Sequence, residues 1–284
     1  GDLGESIRFG VPVTQLIVDR LPTTVELASI SLMIATFFGI KLGVRSATKR
    51  NSRTDVSTMI FANLGVSIPV FVLGLLLAYF FAVVMKDTPI ALPPANRYSP
   101  GVIPTEIADA WGLSGLQGPL RGLLDFISNM AIPNAILTLN PGNLVDAVRH
   151  LILPMIVLGT VPLAVIARMT RSAMLEVLRE DYVRTARAKG LSEATVVLVH
   201  VLRNSMIPVV TVIALGVPSI FGGAIITEQV FKVNGIGQLL ITAIQANDLP
   251  MVQTLTFIFA ILIVLFNLIA DMLYGLLDPR IRYD

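Results

Sequence analysis

The sequence predicts an all-α membrane protein, a bundle of apolar helices, on three observations. Apolar residues (AVILMFWYC) make up 54% of the 284 residues and charged ones only 14%, with a mean hydropathy of +0.78. A soluble domain carries roughly 25% charged residues to clothe its surface. Five stretches stay apolar for the roughly 20 residues that cross a hydrocarbon core. The connections alternate between rich and poor in Lys and Arg, as the positive-inside rule requires. Against that distribution a net charge of +2 says little. With no cysteine, disulfides, thiolate metal sites and thiol nucleophiles are excluded. His150 and His200 are too few for a histidine-rich metal site.

Residues 1–22 form an outer-face segment, polar at its start (GDLGES) and without the basic and apolar runs of a signal peptide. Within it, VPVTQLIVDRLP (11–22) puts Val13, Leu16, Ile17 and Leu21 on one helical face. That suits a helix lying on the outer membrane surface, with a plain connector as the alternative. Residues 23–84 hold two crossings, near Thr24–Val44 and Thr58–Val84, joined by a short cytoplasmic loop. Gly39 and Gly43 in the first allow close helix approach. The loop, 45–57, carries Arg45, Lys49, Arg50 and Arg53 against Asp55 alone.

Residues 85–148 are rich in turn formers (TPIALPPANRYSPG, GLSGLQGP) and carry Lys86, Arg97 and Arg121 against five acids. Leu120, Leu123, Leu124, Ile127 and Met130 recur at helical spacing, so the segment is expected to be a folded extracytoplasmic cap. Residues 149–284 hold three more crossings, near Leu151–Ala167, Ser205–Ile226 and Met251–Ala270. Between the first two lies a charged loop at about 171–204; between the last two, segment 227–250 has one basic residue (Lys232) against Glu228 and Asp248. The charge rule places 45–57 and 168–204 in the cytoplasm, 85–148 and 227–250 outside, the start of the chain outside and its C-terminus inside. A further crossing ahead of Gly1 would account for an outer N-terminus without a signal, so five crossings are visible and six are expected in the native chain. Pro69, Pro162, Pro208 and Pro218 fall within or at the ends of crossings, where neighbouring helices satisfy the freed backbone groups.

No G-x-x-x-x-G-K-[ST] phosphate loop, H-E-x-x-H or G-x-S-x-G occurs. His150 and His200 sit at span edges, with no neighbouring acid to build a triad. The ionisable groups near the spans are Glu26, Lys41 and Asp271. Lys41 reaches the cytoplasmic interface along its own stem, Asp271 shares a helix face with Asn267, and Glu26 is expected shallow and alone, solvated or packed. Midplane charges of the kind a gradient-driven carrier needs are scarce.

The charged loop contains DYVRTARAKGLSEATVVLVHVLRNS. Tyr182–Lys189 suits a short helix ended by Gly190 at the C′ position. Ser192 suits the N-cap of a second helix whose apolar content is Val196, Val197, Val199 and Leu202. Two short helices meeting at a glycine make a knob, with Arg184, Arg187 and Lys189 as a basic rim and Thr185, Ala186 and Ala188 as small residues. A helix pair held at the interface by anionic lipid would explain the charge equally well.

DYVRTARAKGL followed by HVLRNSMIPV resembles the EAA-type cytoplasmic loop of bacterial ABC importer permeases of the dipeptide and oligopeptide family. RLPTTVELA (20–28), GVSIPVFVLG (65–74), RMTRSAMLEVL (168–178) and LYGLLDPRIR (273–282) resemble that family's blocks, closer to the first of its two permease types. Arg184 and Arg203 depart from the general pattern of the loop, in the manner of the peptide-type variant. FKVNGIGQL has Asn234 where proline is commoner. The resemblance implies a type I ABC importer permease bundle in the bacterial or archaeal inner membrane. It implies a sister permease, two ATP-binding subunits that hold ATP and Mg, an extracytoplasmic solute-binding protein and a peptide substrate. This chain would hold no cofactor, make no chemistry and bind no nucleic acid. Asp181, Tyr182, Arg184, Thr185, Ala186, Arg187, Ala188, Lys189 and Gly190 would form the ATPase-coupling helix. Asn63, Ser67 and Thr211 are candidates to line the path. A self-contained secondary transporter or channel is the alternative.

Overall fold

The computed structural model describes residues 3–277, with side chains through Ile269 and at Met272. Apart from one isolated bridge between Glu5 and Pro12, its regular elements are helical. They are α1 (Val13–Thr48), α2 (Arg53–Ser67), α3 (Val70–Tyr79), α4 (Ile107–Ala110), α5 (Pro119–Ser128), α6 (Ala131–Leu137), α7 (Pro141–Val177), α8 (Asp181–Ala188), α9 (Glu193–Thr195), α10 (Arg203–Phe231), α11 (Ile236–Gln245) and α12 (Leu249–Leu277). A π-helical turn, Phe80–Val84, extends α3, and a π-helical segment, Val196–Leu202, joins α9 to α10.

Among the described residues four helices are long and apolar enough to cross a membrane, Val13–Thr48, Pro141–Val177, Glu193–Phe231 and Leu249–Ile269. A fifth crossing arises if α2 and Val70–Val84 form one broken span. The break falls where the sequence places it. Proline crowds the residue before it out of the α region, so Ile68 is extended (φ −84°, ψ 123°) and Pro69 opens α3. Pro208 and Pro218 leave α10 unbroken.

Two expectations are corrected. The surface helix expected over 11–22 is not a separate element: α1 runs from Val13 through Pro22 without interruption. The face meant for lipid packs into the protein, with Val13 and Ile17 buried. The boundary set at 148/149 falls inside α7, which begins at Pro141. α11, a short apolar helix within 227–250, was not foreseen.

Close packing divides the chain into two units, Gly1–Ile30 with Pro69–Leu158 and Phe221–Ile261, and Ser31–Ile68 with Gly159–Ile220 and Leu262–Asp284. The first contains both connections poor in Lys and Arg, and it is held by three buried carboxylates. Glu26 accepts hydrogen bonds from the N–H groups of Ala131 (2.9 Å) and Ile132 (2.7 Å), with Arg97 Nη2 at 3.5 Å, so it is packed and not alone. Glu228 accepts from Thr24 Oγ1 (2.6 Å) and from Gln238 N–H (2.9 Å), and Thr24 Oγ1 in turn accepts from Ile236 N–H at 2.9 Å. Gly235 makes room for that carboxylate: a Cβ there would stand 2.3 Å from it.

Asp248 takes bonds from the Ser6 hydroxyl and from the N–H groups of Arg8 and Met251. Burial alone would raise its carboxyl, but these donors outweigh burial and hold it below the usual carboxylate range. Segment 85–148 folds around Ile107, Ala108 and Leu124, and Trp111 Nε1 donates to Leu137 O at 3.0 Å. His150, expected without an acid, has Asp146 one turn before it, Nδ1 to Oδ1 3.6 Å.

Candidate functional site

The elbow between α7 and α10 is built from its sequence outward. In α8 only Val183 and Ala186, three residues apart, are buried. They enter an apolar cluster with Ala47 from α1, Met174 from α7 and Val196, Val197 and Val201 from the π-helical segment. Three-residue spacing puts both on one helix face, so α8 is seated on the ends of the crossing helices of its unit.

Its C-terminus has a Schellman arrangement. Gly190 N–H donates to Arg187 O (2.9 Å) and Leu191 N–H to Ala186 O (3.4 Å). This requires a left-handed residue, which Gly190 supplies at φ +76°. Ser192 then caps α9, accepting from Thr195 N–H. The corner is clasped by Arg187, whose Nη2 and Nε lie 2.7 and 3.1 Å from the two carboxylate oxygens of Glu193. That bidentate pair holds the Arg187 guanidinium above its ordinary range. Tyr182 Oη accepts from Asn204 Nδ2 at 2.9 Å, tying α8 to the start of α10.

The nine residues expected on the coupling helix therefore divide. Asp181, Tyr182, Arg184, Thr185, Ala188, Lys189 and Gly190 are exposed. Ala186 faces the internal cluster, because its small side chain fits against Val196 and Val197, and is not available as a docking surface. Arg187 is exposed but engaged with Glu193. Arg184 lies 3.4 Å from Asp181, an open pair on the surface. Lys189 forms no ion pair among the described residues.

Beside the elbow lies a network that sequence reasoning missed. Asp55, in the first turn of α2, is 3% exposed and meets Arg171 of α7 bidentately, Nε–Oδ1 2.7 Å and Nη2–Oδ2 2.9 Å. It also accepts from the Ser46 hydroxyl of α1 and from Asn51 N–H (2.9 Å). Three helices are thereby pinned next to the chain that enters α8. Above this pin α1 and α7 approach through glycine: a Cβ at Gly43 would stand 2.5 Å from Thr170 Cβ and 2.8 Å from Ala167 O, and one at Gly39 would meet Ile166. The only sequence signal for the pin was a single acid among the four cations of 45–57.

The path candidates lie on two helices of this unit. Asn63 and Ser67 are exposed on α2, Asn63 Oδ1 with Arg168 Nη1 at 3.4 Å and Ser67 Oγ bonded to Asn63 O. Thr211 is half-buried on α10. An apolar cavity of about 320 Å³ in the same unit is lined by Leu32, Val161, Pro162, Val212 and Ser219 but by none of the three. Asp271 lies outside the described side chains.

The model of the binding-protein-dependent transport system inner membrane component matches residues 39–283. The chain belongs to this family. Relatives agree: the dipeptide transport system permease protein DppB of Escherichia coli K12 is 45% identical over 283 residues, covering all of this chain and 77% of that protein. The di/tripeptide transport system permease protein DppB of Pseudomonas aeruginosa is 45% identical over 286 residues with the same coverage. Among solved structures, an inward-facing MetNI methionine ABC transporter superposes with a TM-score of 0.61 at 16% identity, covering 93% of this chain and 97% of that one. The fold is that of a type I ABC importer permease. The family reached from DYVRTARAKGL and its companion blocks is the one that matches.

Proposed function

We propose that this chain is a transmembrane permease subunit of an ATP-driven importer of dipeptides or oligopeptides, in the inner membrane with its C-terminus in the cytoplasm. It works beside a second permease, two ATP-binding subunits that hold ATP and Mg, and an extracytoplasmic solute-binding protein. The observation that carries this reading is the seating of α8. Two buried side chains fix the helix to the ends of α1 and α7 and to the π-helical segment ahead of α10, while Tyr182, Arg184, Thr185, Ala188 and Lys189 present a basic, small-residue outer face. A rigid knob of this kind, held by a groove on an ATPase, converts closure of the ATPase pair into movement of the crossing helices. The chain itself makes no chemistry. The peptide specificity is supported by the two relatives, each named for peptides.

The alternative, a self-contained secondary transporter or channel working through Glu26 and Asp271, is weakened at Glu26 by that carboxylate's bonds to Ala131, Ile132 and Arg97. The test is purification in mild detergent followed by reconstitution. Co-purification with an ATPase, and ATP hydrolysis that rises with peptide-loaded binding protein, is the expected result. Uptake by the chain alone, driven by an ion gradient, would refute the proposal.

A further inference from the structure

Two grooves in the second unit share Val44 and Leu198 as walls. The larger, about 540 Å³, is bounded by Ile40, Lys41, Val44, Arg45, Leu198 and Leu202. The other, about 370 Å³, continues from it past Ala47. Lys41 and Arg45 stand one turn apart on α1, ~6 Å along the axis. Neither forms an ion pair among the described residues; Lys41 instead places Nζ 3.8 Å over the Phe37 ring. Leu198 is 57% exposed, on a π-helical segment whose Val196 and Val201 are fully buried. An open apolar wall ending at two unpaired cations fits an amphiphile, since a small hydrated anion has no use for the wall and an apolar chain none for the cations.

We infer that this groove binds an anionic phospholipid. Its phosphate sits between Lys41 and Arg45, beside Val44 and Leu198, and an acyl chain runs from there toward the bilayer past Ile40 and Leu202. Charge complementarity selects the occupant: the positive-inside reading puts Lys41 and Arg45 at the cytoplasmic leaflet, whose surface is negative. The inference rests on that orientation and not on the coupling role of α8.

The test is a titration of the delipidated, detergent-purified transport complex with fluorescent phosphatidylglycerol or phosphatidylcholine. Wild type is expected to prefer phosphatidylglycerol, and Lys41→Gln/Arg45→Gln to lose about thirtyfold in affinity for it, from ~1 kcal/mol per cation near an anionic surface. Lys41→Arg should keep the preference, and Leu202→Ser should weaken both lipids alike. Equal binding of the two lipids by wild type, or an unchanged preference in the double variant, would overturn the inference. So would displacement of phosphatidylglycerol by millimolar inorganic phosphate, which marks a simple anion site. Cross-linking of a Leu198→Cys variant to a partner subunit, with no lipid retained, would assign the groove to protein instead. Labelling a Thr48→Cys variant in intact cells tests the orientation separately, and ATPase stimulation reads the permease assignment independently of both.

Discussion

Reversing Arg187 should break the elbow from inside, and a compensating reversal should mend it. Arg187 and Glu193 pair bidentately across the glycine corner with side chains 41% and 63% exposed. A pair so exposed contributes about 0.5–1 kcal/mol. Arg187→Glu replaces that attraction with a repulsion of similar size, a swing of ~1–2 kcal/mol, or about 5–30-fold in the population of the closed corner. In proteoliposomes holding the whole complex, peptide uptake and the ATPase response to loaded binding protein should fall within that range. The swap Arg187→Glu/Glu193→Arg restores the internal pair while inverting the charge shown to any partner, and should return both activities to within about twofold of wild type. Lys189→Glu, which disrupts no ion pair within the described residues, should fall without rescue by Glu193→Lys. A swap as defective as Arg187→Glu alone would refute the clasp and place Arg187 on the ATPase contact.

Three further outcomes follow from packing and charge. Gly43→Ala should lower the unfolding temperature in detergent, at a cost of about 1–3 kcal/mol for overpacking against Thr170 and Ala167, while Gly216→Ala, whose Cβ meets nothing within 4 Å, should not. Arg171→Ala should cost ~3 kcal/mol, near the low end for a broken buried pair because the guanidinium is 26% exposed; Asp55→Asn/Arg171→Leu should cost less, as a double-mutant cycle would read. The Asp248 carboxyl lies below its unfolded value, so its stabilisation is complete above pH ~4 and is lost as pH falls through the lower, folded value. Hydrogen exchange at the Ser6 and Gly10 amides should be slow at pH 5 after correction for intrinsic rates and accelerate as pH drops below 4. In Asp248→Ala it should be fast at both, and equal pH dependence in the two proteins would exclude Asp248 as the tie.

Hydropathy and charge alternation carried the crossings, and turn chemistry carried the elbow. Gly190 and Ser192 are local signals: a left-handed end and a side-chain cap act within four residues, so a linear reading finds them. Gly39 and Gly43 were legible as close approach, though their partners on α7 were not. What stayed hidden are the long-range carboxylate ties, Glu228 to Thr24, Ser6 to Asp248 and Arg171 to Asp55, separated by 204, 242 and 116 residues. An acid bound for a buried pin looks the same in a sequence as one bound for solvent. Glu26 illustrates the point: a packed role was within reach of the sequence, but its partners, the first amides of α6 and Arg97, were not. The surface helix over 11–22 failed for a related reason: an apolar face says that something covers it, not whether that something is lipid or protein.

The same ambiguity runs through the charged elbow, and the structure divides it by residue. Anionic lipid and a partner ATPase were both adequate explanations of a basic loop when its cations were counted together. In the fold they separate: Arg187 is engaged within the loop, Lys189 and Arg184 stand on the outer face of α8, and Lys41 and Arg45 border an apolar groove on α1. A soluble partner needs charge displayed on a rigid protrusion, which α8 provides through Val183 and Ala186. A lipid needs charge beside a greasy channel, which α1 provides through Ile40 and Val44. The two proposals therefore rest on different cations, and each predicts a different loss: neutralising the α8 rim should abolish coupling with lipid retention intact, and neutralising Lys41 and Arg45 should shed lipid from a complex that still couples.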